Sequence, residues 1–283
     1  MTPADVAAAA QLACLLEVSA PKPGNVSPGR AFRDTNYQDF LASAVAIGPA
    51  FLAVDERPLG ATILDAIRAT RRWTSANTNL GMVLLLAPLA RAVLERRKDE
   101  PLRAAVQRVL EKTTVDDAED VYEAIRLAHP GGLGTVPEQD LSASPSVTLL
   151  ETMRLAAERD AIASEYASGF ARTFGIGVPA IARALGDDLP WNDAVVEGFL
   201  ALLADAPDTL IVRKLGLEAA GPVRDAALAI VRGGQLRTEG GKRLLSQLDA
   251  MLRDPDNRMN PGATADLTAA AVFVIIIERG LPA

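Results

Sequence analysis

Apolar residues recur at intervals of three and four along most of the chain, which is the spacing of an amphipathic α-helix. The pattern predicts a first helix from about Pro3 to about Val18, and a second across "NYQDFLASAVAIGPAFLAV", where Phe40 and Phe51 share an apolar face. The same spacing predicts further helices over 59–73, 79–97, 101–113, 116–128, 146–174, 192–206, 221–233, 242–254 and 264–280.

Some of these helices carry more specific signals. Segment 79–97 begins apolar on nearly every side, which predicts a central buried helix. Asp116 and Glu119 have the spacing of a capping box. Ser144 followed by Pro145 is typical of an N-cap and the first helical position, and it predicts where the run over 146–174 begins.

Strand signals are weak. "TLIVRK", at 209–214, is the best strand candidate, but it is short and isolated. A chain of 283 residues allows one large domain or two modest ones, and no segment has the length and polarity of an interdomain linker. We therefore predict an all-α protein, a single compact multi-helix domain over residues 1–283, with functional loops at the helix termini.

Composition supports tightly packed helices and narrows the range of partners. Hydrophobic residues make up 49% of the chain and aromatic residues only 4%, so the core must consist mainly of Ala, Leu, Val and Ile. The formal net charge of −7 argues against a protein that binds nucleic acid along its backbone. A local basic pocket for a small phosphorylated ligand is still compatible with that charge.

The N-terminal region indicates a soluble, cytoplasmic protein. It lacks the basic start of a signal peptide, and the most apolar runs are shorter than the roughly 20 helical residues that span a bilayer. Cys14 is the only cysteine, which excludes an intramolecular disulfide, and its apolar helical surroundings favour a packing role. The composition is also compatible with a homodimer.

The loop "PKPGN" offers an ammonium group on a proline-stiffened backbone. Lys22 would suit a phosphate oxygen, and Gly24 would let a ligand approach the backbone closely. The alternative is a helix-terminating loop with a solvated lysine. Further on, Asp34 precedes a helix, where it could cap backbone N–H groups, hold Mg²⁺ or accept a proton.

The segment "TSANTNLG" places small and amide-bearing residues at the start of the apolar helix. Asn77 could cap that helix while Thr78 and Asn79 contact a substrate. Capping alone would also explain these residues.

Two later loops add charge near helix starts. In "PDTLIVRK", Asp208 is followed by Arg213 and Lys214, which could clamp a triphosphate or form an ordinary surface ion-pair cluster. In "NPGATAD", the start of the last apolar helix contains Asn260, Gly262, Thr264 and Asp266. The Asp266 carboxylate would suit either the helix macrodipole or a metal ion.

His129 is the only histidine, and its place between a helix end and a glycine turn favours a structural role. With one histidine and one apparently buried cysteine, Ser–His–Asp and Cys–His chemistry are poorly supported, and a His-rich zinc site is excluded. Any catalysis should therefore rest on carboxylates, amides, lysine or arginine, with Mg²⁺ as the expected cofactor.

Taken together, "EVSAPKPGNV", the Asp34 segment, "NTNLG" and "NPGATADLTAA" resemble the triphosphoribosyl-dephospho-coenzyme A synthase family. The resemblance runs from about Glu17 to the C-terminal helix and implies an all-helical enzyme. The implied reaction joins ATP, as substrate, to 3′-dephospho-coenzyme A and releases adenine, with an oxocarbenium-like transition state. The positions that match the family's motifs are Lys22, Gly24, Asp34, Asn77, Thr78, Gly81 and Asp266.

The resemblance also implies roles for three residues, while other positions differ from the residues that are common in the family. Lys22 would bind phosphate, while Asp34 and Asp266 would hold Mg²⁺ or act as base. Phe32 stands where the family commonly has histidine, and Asn79 and Leu80 replace a commonly found His-Lys pair. "NTNLGMVLLLAPLA", "HPGGLG" and "PDTLIVRK" look closer to a branch in archaea and methylotrophic bacteria associated with tetrahydromethanopterin-linked one-carbon metabolism.

Three hypotheses follow. The first is the ATP-dependent triphosphoribosyl transfer itself, and the second is a related transferase or N-glycoside hydrolase that uses another phosphorylated metabolite. The third is a non-enzymatic helical binding protein, which predicts that the candidate polar residues scatter over the surface rather than meet in one cleft.

Overall fold

The computed structural model of the protein describes residues 1–131 and 138–280. Within these ranges it contains helices and no β-strand, so the prediction of an all-α protein is confirmed. The helices, numbered α1 to α15 in chain order, are Pro3–Ser19, Tyr37–Ala46, Gly48–Leu52, Leu59–Thr70, Leu80–Glu95, Leu102–Glu111, Val115–Ala128, Leu149–Ala156, Ala161–Ser168, Val178–Gly186, Trp191–Asp205, Thr209–Leu215, Leu217–Arg232, Glu239–Leu252 and Gly262–Arg279.

The most buried helices are α5, α11 and α15, and α15 packs against both of the others as well as against α1. The apolar residues of α5 are buried from Leu80 to Ala90, which confirms the prediction of a central buried helix. These helices are buried on nearly all sides because their sequences contain few polar residues that could face water. The N-terminal ends of α5 and α15 lie deep in the protein, where they line a cavity.

Cys14 lies on the buried side of α1, within the apolar core. Burial raises the pKa of its thiol, and the negative charges of Glu17 and Asp266 raise it further. The predicted packing role of this cysteine agrees with that environment. Cys14 therefore lies close to the carboxyl groups of Glu17 and Asp266, which are described below.

The run over 146–174, predicted as one helix, is divided into α8, α9 and the π-helical segment Thr173–Gly177. Asp160 begins α9 by accepting hydrogen bonds from the N–H groups of Ile162 and Ala163. Gly169 and Phe170 then adopt positive φ values of 62° and 58° and end the helix. Hydrophobic spacing alone does not reveal such breaks.

The one strand candidate is helical, and one further helix is divided in two. "TLIVRK" is helical, as α12, because the Asp208 carboxylate caps its first N–H groups. The run 36–54 is divided into α2 and α3, where Pro49 occupies the first turn of α3. Proline at this position suits a helix start because it has no N–H to leave unpaired.

The capping predictions were displaced by a few residues. The capping box of α7 consists of Thr114 and Asp117, and α8 begins after Thr148 instead of Ser144. Thr is an effective cap because its short hydroxyl reaches the backbone N–H three positions on.

Within the described residues, no helix is long and apolar enough to cross a membrane.

Candidate active site

A cavity of about 550 Å³ lies among the ends of several helices. Its walls come from the N-terminal ends of α5 and α15, the C-terminal ends of α1 and α12, and one side of α7, α8 and α9. That volume falls within the range of cavities that bind small-molecule ligands. The predicted site residues that line it are Asp34, Asn77, Thr78, Asn79, Gly81, Arg213, Lys214, Asn260, Gly262 and Asp266.

Asp266 and Gly81 meet inside this cavity. A Cβ atom built on Gly81 would lie 2.0 Å from the Asp266 Oδ2 atom, so only glycine leaves room for the carboxyl group. Among the described residues, no donor forms a hydrogen bond with that carboxyl group. Asp266 is therefore held by packing against α5 and is open to a ligand.

The pKa of Asp266 is raised well above its usual range. Burial is the largest cause, because it disfavours the charged form. The negative charges of Glu17, Asp208 and Asp160 add to the effect, while Arg213 opposes it. The site thus contains a carboxyl group that retains its proton to a higher pH than an exposed aspartate does.

The start of α5 is fixed by a small polar network. The Asn77 Oδ1 atom accepts a hydrogen bond from the Leu80 N–H at 3.3 Å, as expected for a residue that caps the helix. The Asn79 amide donates to the Thr70 hydroxyl at 3.0 Å, and the hydroxyl groups of Thr78 and Ser43 share a hydrogen bond. These bonds tie the cavity wall to α2 and α4.

Some backbone donors at these helix ends remain available. Among the described residues, the N–H groups of Gly81 and Met82 in α5 and of Ala263 in α15 have no acceptor. All three residues line the cavity. Helix N-termini with free N–H groups favour negatively charged ligands.

Arg213 and Lys214 bring positive charge to the same cavity from the last turn of α12. The Arg213 guanidinium forms an ion pair with Asp160 at 2.5 Å. The Lys214 ammonium donates to the Asn260 Oδ1 atom and to the Asn257 carbonyl oxygen, each at 3.3 Å. Burial lowers the pKa of Lys214, and nearby carboxylates, Asp34 among them, partly offset this.

Asp34 is exposed at the cavity lining, and it does not cap α2. That helix is capped by Asn36, whose side chain accepts hydrogen bonds from Gln38 and Asp39. The capping alternative for Asp34 is therefore wrong. Its carboxylate accepts a hydrogen bond from the Thr35 hydroxyl at 3.3 Å and can also interact with a ligand or with the nearby Lys214 charge.

Lys22 is placed differently from the prediction. Its side chain is completely buried, and its ammonium lies 2.9 Å from the Glu17 Oε1 atom. It also donates to the carbonyl oxygen atoms of Glu17 and Ala20. These bonds use all three N–H groups of the ammonium, so Lys22 has none left for a phosphate.

Gly24, Asp208 and Thr264 also lie outside the cavity lining and serve the fold. The Gly24 backbone has a φ of +72°, and a Cβ atom there would approach Leu252 within 2.7 Å. Asp208 accepts hydrogen bonds of 2.7 Å from both the N–H and the hydroxyl group of Thr264. Asp208 thereby joins the start of α12 to the start of α15.

The cavity contains polar residues that the sequence did not single out. They are Glu17, Asn25, Thr35, Tyr122, Glu138, Gln139, Asp140, Thr152, Arg159, Asp160, Asp256 and Asn257. Only Glu17 had a usable signal, since it lies in the same quoted motif as Lys22, and a buried lysine needs a partner. His129 also lines the cavity, at the left-handed end of α7, while residues 132–137 of the "HPGGLG" loop lie outside the described ranges.

The arrangement argues against the hypothesis of a non-enzymatic binding protein with scattered polar residues. Asp34, Asn77, Lys214 and Asp266 share one cavity, and Lys22 and Asp208 are buried and bonded to residues near it. A resident metal site is not supported, since the described residues include no group of three His, Cys, Asp or Glu side chains placed to hold an ion.

Two proteins with an assigned function are similar to this chain. An Azotobacter vinelandii protein assigned as 2-(5''-triphosphoribosyl)-3'-dephosphocoenzyme-A synthase is 28% identical over 279 residues, covering 93% of this chain and 87% of that protein. A Pseudomonas putida protein with the same assignment is 31% identical over 106 residues, or 38% of this chain and 37% of its own length.

A solved structure and a family model extend the match. The crystal structure of an Archaeoglobus fulgidus protein assigned as a triphosphoribosyl-dephospho-coA synthase has a TM-score of 0.65 and 29% identity, covering 85% of this chain and 100% of that chain. The family model described as ATP:dephospho-CoA triphosphoribosyl transferase matches residues 3–283. The chain therefore belongs to the ATP:dephospho-CoA triphosphoribosyl transferase family.

Proposed function

We propose that this protein transfers the triphosphoribosyl group of ATP to the ribose 2′-hydroxyl of 3′-dephospho-coenzyme A and releases adenine. The observation that carries the proposal is the Asp266 carboxyl group, packed against Gly81 and open to a cavity of about 550 Å³. Adenine is a poor leaving group unless it gains a proton, and a carboxyl group with a raised pKa can supply one.

The triphosphate is proposed to lie between α12 and α15. Lys214 and Arg213 provide positive charge there, and the Asn260 amide and the Ala263 N–H provide hydrogen-bond donors. A phosphate chain suits this combination, because charge-assisted bonds and a helix N-terminus both favour anions. The ribose of ATP would then extend towards Asp266.

Asn77 is proposed to bind the ribose or the adenine of ATP. It lines the cavity at the start of α5, where its oxygen already accepts a bond from Leu80. Its amide N–H groups are donors suited to a hydroxyl or ring nitrogen. Thr78 and Asn79 would hold this end of α5 in position through their bonds to α2 and α4.

Mg²⁺ is proposed to enter with ATP as part of the substrate. Magnesium in nucleotide sites is usually held by one or two carboxylates together with phosphate oxygens and water. Asp34, near Lys214 and exposed to the cavity, is the proposed protein ligand. Adenine release measured with and without EDTA tests this requirement, and full activity in EDTA would contradict it.

Phe32 and Leu80 both line the cavity, so the departures from the commonly found His and Lys fall within the site. They make the wall more apolar than those side chains would. An acceptor other than dephospho-coenzyme A, among phosphorylated one-carbon cofactor precursors, is the alternative that these two residues favour.

The decisive experiment incubates the purified protein with ATP, Mg²⁺ and dephospho-coenzyme A and measures free adenine by chromatography. We expect adenine and a coupled product whose mass equals that of both substrates minus adenine. Adenine without coupled product would indicate hydrolysis, and no adenine at high enzyme concentration would refute the proposal. Omission of each substrate in turn provides the control.

A homodimer is also proposed, from the Ala- and Leu-rich composition of the helices. Light scattering coupled to gel filtration measures the mass directly, and a monomeric mass across the working concentrations would refute it.

A further inference from the structure

We propose that Glu17 is a second catalytic carboxylate of this site and that Lys22 is the positioning residue that holds it. The inference rests on the proposed transfer reaction and assigns the group that accepts the proton of the attacking hydroxyl. It concerns two residues of one short segment, at the C-terminal end of α1 and in the loop that follows.

The Glu17 side chain is nearly inaccessible, with 3% of its surface exposed, yet it lines the cavity. A buried carboxylate is costly unless it is paired. Lys22 supplies the partner, with its ammonium 2.9 Å from the Glu17 Oε1 atom. One oxygen of Glu17 is thus committed to Lys22, and the carboxylate remains available to a ligand in the cavity.

The position of this pair is unfavourable for a carboxylate alone. The C-terminal end of a helix carries partial negative charge, so Glu17 in the last turn of α1 is repelled by it. Lys22 offsets this repulsion because it also donates to the carbonyl oxygen atoms of Glu17 and Ala20. A fold that needed only a stable helix end would not require a buried carboxylate here.

The two carboxyl groups differ in the partners that surround them. Burial raises the pKa of Glu17, and the charge of Lys22 and its hydrogen bond to Glu17 oppose that effect. The negative charge of Glu17 in turn raises the pKa of Asp266. The charged groups that act on these two carboxyls are Lys22, Asp160, Asp208 and Arg213, and both carboxyls act on the Cys14 thiol.

A carboxylate paired with Lys22 and a second carboxyl group that keeps its proton can together provide both proton transfers that the reaction needs. Glu17 accepts the proton of the attacking 2′-hydroxyl as its oxygen forms a bond to C1′ of the ATP ribose. The bond from C1′ to N9 of adenine breaks, its electron pair leaves with adenine, and Asp266 donates a proton to the departing ring. Solvent then returns each carboxyl group to its starting state.

The first test replaces Glu17 with glutamine, which keeps the shape but cannot accept a proton. We expect kcat for adenine release to fall by about 10²–10⁴-fold, the usual contribution of a general base, with little change in the KM for ATP. The acidic limb of the wild-type kcat–pH profile, which reports ionisation of Glu17, should disappear in whatever activity remains.

A double variant separates positioning from folding. Glu17→Gln leaves the Lys22 ammonium buried without its counter-ion, which destabilises the fold. Glu17→Gln combined with Lys22→Met removes both charges, so we expect the melting temperature to recover while adenine release stays low. Lys22→Met alone should shift the acidic limb of the pH profile to higher pH, which a purely structural role would not do.

Glu197→Gln provides the matched control. Glu197 is also fully buried and paired, through bonds of 2.6 Å from Arg237 to both carboxylate oxygens, but it lies outside the residues that line the cavity. We expect it to lose stability and to keep its kcat per folded molecule and its pH profile.

The outcomes distinguish the inference from the function on which it rests. If the wild-type protein releases adenine and folded Glu17→Gln releases it as fast, with the acidic limb retained, Glu17 is not the base. If the double variant recovers both stability and activity, the pair is only structural. If the wild-type protein releases no adenine, the proposed function fails, and the base assignment fails with it.

Discussion

Two groups of helix starts in this protein differ in where their caps come from. Four helices, α1, α2, α7 and α8, begin with complete capping boxes made by residues three positions apart. In contrast, the N-cap residues of α5 and α15, Asn79 and Pro261, form no capping bond with their own side chains. Asp208, from a distant part of the chain, caps α15 instead.

The difference shows how the site is made. A helix capped by its own residues has few free N–H groups for a ligand, whereas the starts of α5 and α15 retain N–H groups at Gly81 and Ala263 in the cavity. The starts of α1, α2, α7 and α8 are thus completed by local side chains. The start of α5 is completed only in part by Asn77 and that of α15 only in part by Asp208, which leaves the remaining N–H groups to a ligand.

The largest expected effect comes from removing the acidic group between the two central helices. Asp266→Asn should lower kcat for adenine release by about 10²–10⁴-fold, because an amide cannot donate the proton. Asp193→Asn, in the first turn of α11, removes a helix-start carboxylate outside the cavity and should retain activity. Equal kcat for the wild type and Asp266→Asn would contradict the assignment.

The same variant has a stability signature that depends on pH. Because the pKa of Asp266 is higher in the folded protein than in the unfolded chain, this group stabilises the fold below the unfolded value of about 3.9. That contribution is lost as the pH rises towards the folded pKa. As the pH rises over this range, the free energy of unfolding should therefore fall less for Asp266→Asn than for the wild type. Urea unfolding at several pH values measures this difference.

The next effect concerns the contact that holds the carboxyl group in place. Gly81→Ala would push a methyl group into the Asp266 carboxyl, and a displacement of about 1 Å can cost about 10²-fold in rate. Gly221→Ala is the matched control, since its Cβ would meet nothing within 4 Å in α13. If both alanine variants keep the wild-type kcat, the close contact is not needed for activity.

A smaller effect is expected on the positively charged side of the cavity, which Arg213 and Lys214 form. Lys214→Met should raise the KM for ATP by about tenfold, equivalent to about 1.4 kcal/mol of binding free energy, with kcat less affected. Lys242→Met removes an exposed lysine that pairs with Glu239 in α14, and it should leave the KM unchanged. A fall in kcat at constant KM would assign Lys214 to the chemical step instead.

The smallest effect is expected at a locally capped helix. Thr2→Ala removes the side chain that begins α1 and should lower the free energy of unfolding by about 1 kcal/mol. Adenine release per folded molecule should be unchanged. Urea unfolding and the adenine assay together check this, and a loss of activity would mean that the outer caps also influence the site.

These two kinds of helix start also explain what the sequence could predict. Helix class and the buried nature of α5 follow from apolar spacing, which is a local property. The start of α12 could not be predicted that way, since "TLIVRK" has the composition of a strand and becomes helical through the Asp208 cap and its tertiary contacts.

The site was predictable to a similar degree. Asn77 and Asp266 were identified from polar groups at the starts of apolar helices, and Gly81 from the family resemblance, and all three line one cavity. Lys22 was identified from the "PKPGN" loop, but sequence cannot show that its ammonium turns inward to Glu17. Tyr122 and the other residues of α7 to α9 carried no signal, because they face the cavity only through packing between distant segments.

The position of Cys14 has a practical consequence. This thiol is buried between α1 and the core, and its high pKa keeps it in the unreactive form. A thiol reagent can therefore modify the native protein only when α1 moves away from its neighbours. The rate of labelling at Cys14 therefore measures how often this opening occurs. A ligand that closes the neighbouring cavity should lower that rate.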